Sequence, residues 1–523
     1  MLGRMNTSVD PCSDFYSYSC GAWISSRRLL LEMNVIETDR NSVMSDVKLN
    51  LKQRLKDMLS ETVISSDSDY MKAIKLHFQS CLDSNTRPDS SLITKDVQSM
   101  LENLGVDRSM TSVLTPSMMQ YSLFSDYGAF GFFKYEITGK VVKDTKRSIL
   151  QLSPPDLYLQ QSVYLLPSED NEIARRYFDR LVPLIQRFNS NLRPVSNLDN
   201  IDGELRLKVA EVFEFERQIS QAIRVAKSSN EEKVSYSVSA LQKNLPNIDW
   251  TVALPQQQLS YDTPVQLNHP SYFSSLNGML GRNQQSTLVM YLYIRAILTG
   301  ILPSAPKSTR QFMDSMYDTE TAQEYTSVDC LDSTLKLLPE EVLVEYTRTY
   351  SQDIKNVRDY LSSLFRNLTD ESIQSFSSYP GYSDETKFRM SGILSSLNLV
   401  SAPIPVIPWT VVLSTNNDVL HLFRANFAHQ AHASRLMNRI GEVYTVPDIP
   451  WYDVDIVYDK EINTLGSLDI QSAVDGYWSD GSLRHFQDKR DCFMNQLFEK
   501  RTVSLTGRPL VKEAPYLHSQ GST

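Results

Sequence analysis

The chain has 523 residues, 41% apolar and 22% charged, a globular balance that can bury a large core. Lys and Arg number 52 against 62 Asp and Glu, a net charge of −10, and no basic stripe runs along the sequence, which argues against nucleic acid as a partner. Length alone suggests about two to four domains.

Met1 to Val9 carries no apolar run of the signal-peptide kind. Leu51 to Leu59 and Ile74 to Leu82 have helical periodicity. Phe133, Tyr135 and Ile137 alternate with polar neighbours ahead of an expected turn at Gly139, and Ile149 to Leu152 returns as the second strand of a hairpin. Leu205, Val209, Val212, Ile219 and Ile223 form one helical stripe. The longest apolar stretch, Leu288 to Leu302, is broken by Arg295 and Gly300; it is too short to span a bilayer and reads as a buried amphipathic helix. No transmembrane segment is expected in this chain.

Pro339-Glu340-Glu341 makes a good first helical turn, because proline lacks a donor that would go unpaired there. The stripe that follows, Leu343, Tyr346, Tyr350, Ile354, Val357, Leu361 and Leu364, predicts one long helix. Val419 to Ile440 predicts another, capped by Asp418, and Val454 to Tyr458 predicts a strand. No internal repeat or low-complexity tract appears. The coarse expectation is a mainly α protein with a little sheet.

There are five cysteines, so at least one has no partner within the chain, and none lies in a CxxC pair. Two sequons begin at Asn6 and Asn367 and become glycosylation sites if the chain is exported.

The segment Val9-Asp10-Pro11-Cys12-Ser13-Asp14-Phe15-Tyr16-Ser17-Tyr18-Ser19-Cys20-Gly21-Ala22-Trp23 resembles the opening of the mature domain in the neprilysin and endothelin-converting-enzyme family of zinc endopeptidases. Phe78-Gln79-Ser80-Cys81-Leu82-Asp83, Asn247-Ile248-Asp249-Trp250 and His269-Pro270-Ser271-Tyr272-Phe273 resemble later landmarks of the family, in order. Val454-Asp455-Ile456-Val457-Tyr458 is similar to its VNAYY strand. Tyr477-Trp478, Phe486, Arg490, Cys492 and Gln496 are similar to its WW segment. The resemblance implies a large helical lobe of the neprilysin type with a small β hairpin over residues 1–405. Residues 406–523 would then be a degenerate, truncated remnant of a thermolysin-like catalytic lobe. It also implies a disulfide between Cys81 and Cys330. Cys12, Cys20 and Cys492 are left either free or with Cys12 joined to Cys20. An extracellular or plasma-membrane ectodomain is the location it implies, and peptides or an extracellular protein are the implied partners.

The chemistry of that family needs two histidines at i and i+4, which share one zinc ion from one helix face, and a glutamate between them that activates the bound water. No HExxH occurs among the seven histidines. The nearest imitation, His429-Gln430-Ala431-His432, has the wrong spacing and no glutamate, and His421 stands eight residues earlier; all three read as polar positions on a surface helix. Thirteen residues, Thr464 to Gly476, separate Asn463 from Tyr477, where the family's zinc helix belongs, and they contain no histidine. Glu513 aligns with the third zinc ligand, but Ala514, Pro515 and Leu517 depart from the pattern around it. On the strand that would hold the substrate backbone, Asp455 and Ile456 replace asparagine and alanine, and an aspartate keeps acceptors but loses the amide donors. The resemblance places the family's substrate-contacting histidine and arginine beyond Thr523. Zinc is thus expected in intact family members and no cofactor in this chain. The expected function is that of a noncatalytic pseudo-peptidase. The alternative is an incomplete isoform or gene model of an active zinc metalloendopeptidase that cleaves small extracellular peptides.

Overall fold

A computed structural model describes residues 5–32, 43–86, 91–142, 145–196, 200–229, 231–255, 259–315, 330–401, 421–442, 456–459 and 464–467. The first helices are α1 (Phe15–Glu32), α2 (Val43–Ser60), α3 (Asp69–Thr86), α4 (Ser91–Glu102) and α5 (Pro116–Tyr127). Helix α5 shows how local sequence sets boundaries. The Thr115 side chain accepts from the Met118 amide, Pro116 fills the first turn, and Gly128 closes the helix at φ +60°.

The hairpin follows as β1 (Lys134–Val142) and β2 (Thr145–Ser153). Gly139 is not its turn: the residue lies inside β1, opposite Ser148, and pairing continues to Val142 and Thr145. The alternation that begins at Phe133 carries on through Val141, so the ladder outruns the glycine. Helices α6 (Glu172–Phe188) and α7 (Ile201–Ser228) pack together, and β3 (Val234–Ser237), α8 (Val238–Asn244), α9 (Trp250–Ala253) and β4 (Pro264–Leu267) come next. The sheet order is β1-β2-β4-β3, with β4 parallel to β2 and antiparallel to β3. In the Asn247–Trp250 landmark, Asp249 caps α9 and the buried Trp250 indole donates to the Leu245 carbonyl.

After α10 (Pro270–Arg282), α11 (Gln285–Arg295) runs into a π turn over Ala296–Ile301. Every residue from Thr287 to Arg295 is buried, so this is a core helix on all sides and not an amphipathic one. Arg295 is accommodated by donating to the carbonyls of Phe130 and Asp156.

Helix α12 (Lys307–Asp314) is followed by α13 (Cys330–Leu337), α14 (Pro339–Thr349) and α15 (Ser351–Ser378). The expected single helix from Pro339 to Leu364 is therefore two, broken at Tyr350 (φ −109°, ψ 29°). The Tyr350 ring sits 4.7 Å from that of Tyr346, against buried apolar side chains, while Leu361 and Leu364 are only half-buried. The stripe bends where it leaves the core. Helix α16 (Asp384–Ser395) folds back on α15, and β5 (Asn398–Ser401), β7 (Thr464–Ser467) and β6 (Ile456–Asp459) form a second sheet in that order. Between them in sequence comes α17 (His421–Asn438); its proposed cap Asp418 lies outside the described residues.

The apolar side chains gather into two clusters. The larger draws on the hairpin and on α4 to α12. The smaller is built on α2, α3, α13 and α14 with Ile354, and includes the Cys81–Cys330 disulfide between α3 and α13 (Cα–Cα 5.7 Å).

Candidate functional site

Three of the residues weighed as metal ligands stand on α17. This helix exposes one face, Phe427, Gln430, Ser434 and Asn438, and packs the other against α5, α3 and α13, with Leu422, Ala425, Ala428, Ala431, Ala433 and Met437 buried. Small residues on its inner faces let it approach its neighbours closely. His421 is buried, with Nδ1 3.0 Å from the Ser80 hydroxyl and its ring 5.0 Å from that of His77 on α3. The Nε2 of His77 is buried with no hydrogen-bond partner among the described residues. His429 is half-buried on the open face of Gly128, where an added Cβ would fall 1.9 Å from its Nδ1. Arg435 reaches the buried Glu341 carboxylate of α14 and donates to the Leu337 carbonyl at 3.0 Å.

Electrostatics here oppose positive charge. Burial, then His421 and Arg424, hold His77 well below the usual imidazole range. Burial, then Arg310 and Arg424, push His421 down to about 3; burial, then His432, push His429 down to about 3. Burial and Arg439 lower His432. The groups acting on these rings are arginines and other imidazoles. A divalent cation would face the same fields, and the described residues hold no group of three or more His, Cys, Asp or Glu able to grip one. The site does not fit zinc.

Where α17 ends, the Gly441 amide donates to the Ser148 carbonyl and the Ser148 amide to the Glu442 carbonyl. Beside this junction Tyr135, Glu136, Ile137, Thr138, Gln151, Leu436 and Arg439 line a cleft of about 460 Å³. It is open and shallow, and Glu136 is already engaged by Gln151 and Ser153.

Strand β6 is the other candidate region. It pairs antiparallel with β7, Ile456 opposite Ser467, and among the described residues its second edge is open. Asp455, Glu513, Tyr477, Cys492, His485 and His518 lie outside the described residues. Cys12 is disulfide-bonded and Cys20 is a free, half-buried thiol, so neither alternative holds: Cys12 is not free and is not joined to Cys20. The Asn6 side chain accepts from the Ser8 amide and hydroxyl, and Asn367 is exposed on α15. The structure thus brings His421 and His429 toward α3 and α5 but does not bring them to β6. Sequence reading missed His77, Ser80 and Gly128; Gly128, directly after an aromatic-rich helical segment, was the readable signal of a close approach.

The model of Peptidase family M13 matches residues 11–398. The endothelin-converting enzyme homolog of Locusta migratoria is 24% identical over 303 residues, which is 55% of this chain and 39% of that protein. Endothelin-converting enzyme 1 of Cavia porcellus is 21% identical over 391 residues, 71% of this chain and 49% of that one. The chain thus spans half or less of the length of the curated relatives it matches. Among solved structures, the zinc metalloprotease Zmp1 of Mycobacterium tuberculosis in its open state aligns with a TM-score of 0.68 at 13% identity, over 87% of this chain and 69% of Zmp1. PepO from Lactobacillus rhamnosis HN001 aligns at 0.62 and 15% identity, over 88% and 70%. At such identities the likeness is one of fold.

Proposed function

Because the chain belongs to peptidase family M13, we propose that this polypeptide is a noncatalytic relative of its zinc endopeptidases, a pseudo-peptidase that holds peptides or an extracellular protein without cutting them. One observation carries the reading: its closest histidine pair, His429 and His432, is spaced i, i+3 without a glutamate and is packed in a seam of positive charge that suits no metal. No step of hydrolysis can be routed through such residues, and no cofactor is required. Peptide contact would fall on Ile456 of β6, whose second edge is open among the described residues, and on Asp455, which precedes it in sequence, where main-chain groups add a strand without a metal. The buried Cys81–Cys330 disulfide supports an oxidising, extracellular setting, in which exposed Asn367, and Asn6, would carry glycans. Glu513 then has no ligand role.

The test is a small fluorogenic peptide incubated with the purified chain, with and without added zinc. No chelator-sensitive turnover is expected, while anisotropy of a labelled peptide should saturate. Turnover abolished by chelator would refute the reading. A second reading is favoured by the length of the relatives: the same helical body belongs to a longer, active metallopeptidase. Sequencing the transcript across Gln471 and past Thr523 decides between them, since a message encoding HExxH supports the enzyme.

A further inference from the structure

Helix α17 lies in the seam between the two hydrophobic clusters and belongs to both. Leu422, Ala433 and Met437 are part of the larger cluster and Ala428 of the smaller. Its polar fastenings reach different elements: His421 to Ser80 of α3, Arg435 to Glu341 of α14, and Gly441 and Glu442 to Ser148 of β2. Within the described residues it ties the hairpin side of the molecule to the disulfide side, beside a second tie in which Arg310 of α12 donates to the Asn85 side chain of α3. The contact with α3 is a pair of imidazoles, His77 against His421, both buried, and the contact with α5 is a third, His429 on Gly128.

We propose that α17 is an acid-released strap: protonation of His77 and His421 expels the helix from the seam at mildly acidic pH and loosens the joint between the two clusters. Two adjacent buried cations cannot be accommodated there. The charged groups acting on these two rings are Arg310 of α12 and Arg424 of α17 itself, both of the same sign, and Arg439, just past the helix, acts likewise on His432. The carboxylates on the packed elements are committed elsewhere or exposed. Glu341 of α14 holds Arg435 and Asp332 of α13 holds Lys52, Asp126 of α5 accepts from the neutral Ser125 hydroxyl, and Asp83 of α3 is exposed. On α3, Lys75 is held by Asp67 and Glu61. Among the described residues the groups acting on His77 and His421 are arginines and imidazoles and none is a carboxylate, so protonation is relieved by exposure to water.

The sign follows from linkage. Docked, His421 is held down to about 3 and His77 well below the ordinary value. Released, each returns to about 6.5. Release takes up protons, so the docked state is fully favoured above about pH 6.5 and loses ground as pH falls below it. Each imidazole multiplies the released-to-docked ratio about tenfold between about pH 7.5 and 5.5, and the pair about a hundredfold.

Hydrogen exchange on the intact chain at those two pH values, corrected for the intrinsic pH dependence of amide exchange, reads this out. Protection over residues 421–438 should drop at least a hundredfold while α7 keeps its own, and His77→Gln/His421→Asn should shrink that drop to the roughly tenfold that His429 still contributes. Unchanged protection in α17, an equal drop in the variant, or loss in α7 in step with α17 would overturn the proposal. Should the double variant not fold, ring-labelled histidine NMR on the unaltered protein serves instead. His77 and His421 should gain free-imidazole signals only as α17 loses protection, and titration near 6.5 with α17 still protected overturns the strap.

Discussion

Arg435 donates to a carboxylate, Glu341, that has no exposed surface, and to the carbonyl of Leu337 one turn earlier on the smaller cluster's side of the seam. A buried carboxylate stripped of its partner keeps its desolvation cost and loses the compensating charge. Arg435→Met should therefore destabilise the protein by about 3–5 kcal/mol in urea denaturation, and adding Glu341→Leu should restore most of it, because two apolar groups owe no desolvation. Gly128 carries a second residue-scale prediction. At φ +60° any side chain is strained, and here its Cβ would also displace His429. Gly128→Ala should cost about 2–3 kcal/mol, the upper part of the range for a single mechanism because strain and clash add. His429→Ala in the Gly128→Ala background should recover the clash and leave the strain, a split that a double-mutant cycle resolves.

Among the elements, the joint between α3 and α13 is covalent. The Cys81–Cys330 bond closes 249 residues of chain separation, so in the chain-entropy model its loss should remove about 5 kcal/mol, measured as a lower urea midpoint for Cys81→Ala/Cys330→Ala than for the unaltered oxidised protein. The same elements show what a sequence can and cannot specify. Periodicity found α2, α3, α7 and α17 because their apolar spacing is a local property, and alternation found the hairpin for the same reason. It placed a turn at Gly139 and ran α14 into α15 because a glycine inside a paired strand and a one-residue bend at Tyr350 are decided by neighbours far away in sequence. For α17 the spacing gave the helix but not its surroundings. Its histidines read as solvent-facing because alanine-rich helices look mildly polar, whereas Ala425, Ala428, Ala431 and Ala433 are what lets the helix enter a crowded seam. His77 could not be connected with His421 at all: their meeting across a sequence separation of 344 is a product of the fold.

Across the whole molecule, two buried titrations pull stability in opposite directions. Glu216 of α7 is fully buried, accepts from the Tyr164 hydroxyl at 3.0 Å through one oxygen, and has no partner for the other among the described residues. Burial outweighs the nearby Arg295, also buried, and raises its carboxyl from 4.5 to about 7. Because the folded-state value is the higher one, the native protein binds this proton more tightly than the unfolded chain. Its contribution is fully present below about pH 4.5 and is lost as pH rises through 7, about 3 kcal/mol in all. The imidazoles of the seam behave oppositely: their folded values are depressed, so their contribution is present above about 6.5 and lost on acidification. Between those limits one carboxyl is set against at least two imidazoles, so the imidazoles prevail and the unaltered protein should be weaker at pH 5 than at pH 7. Glu216→Gln keeps an acceptor for Tyr164 and removes the titration. The stability of this variant relative to the unaltered protein should therefore climb by about 3 kcal/mol from pH 4.5 to 8 in paired urea titrations, while its loss in acid becomes steeper. A difference that stays flat with pH would mean that Glu216 is ionised in the core throughout, held by Arg295, and that the acid branch belongs to the histidines alone.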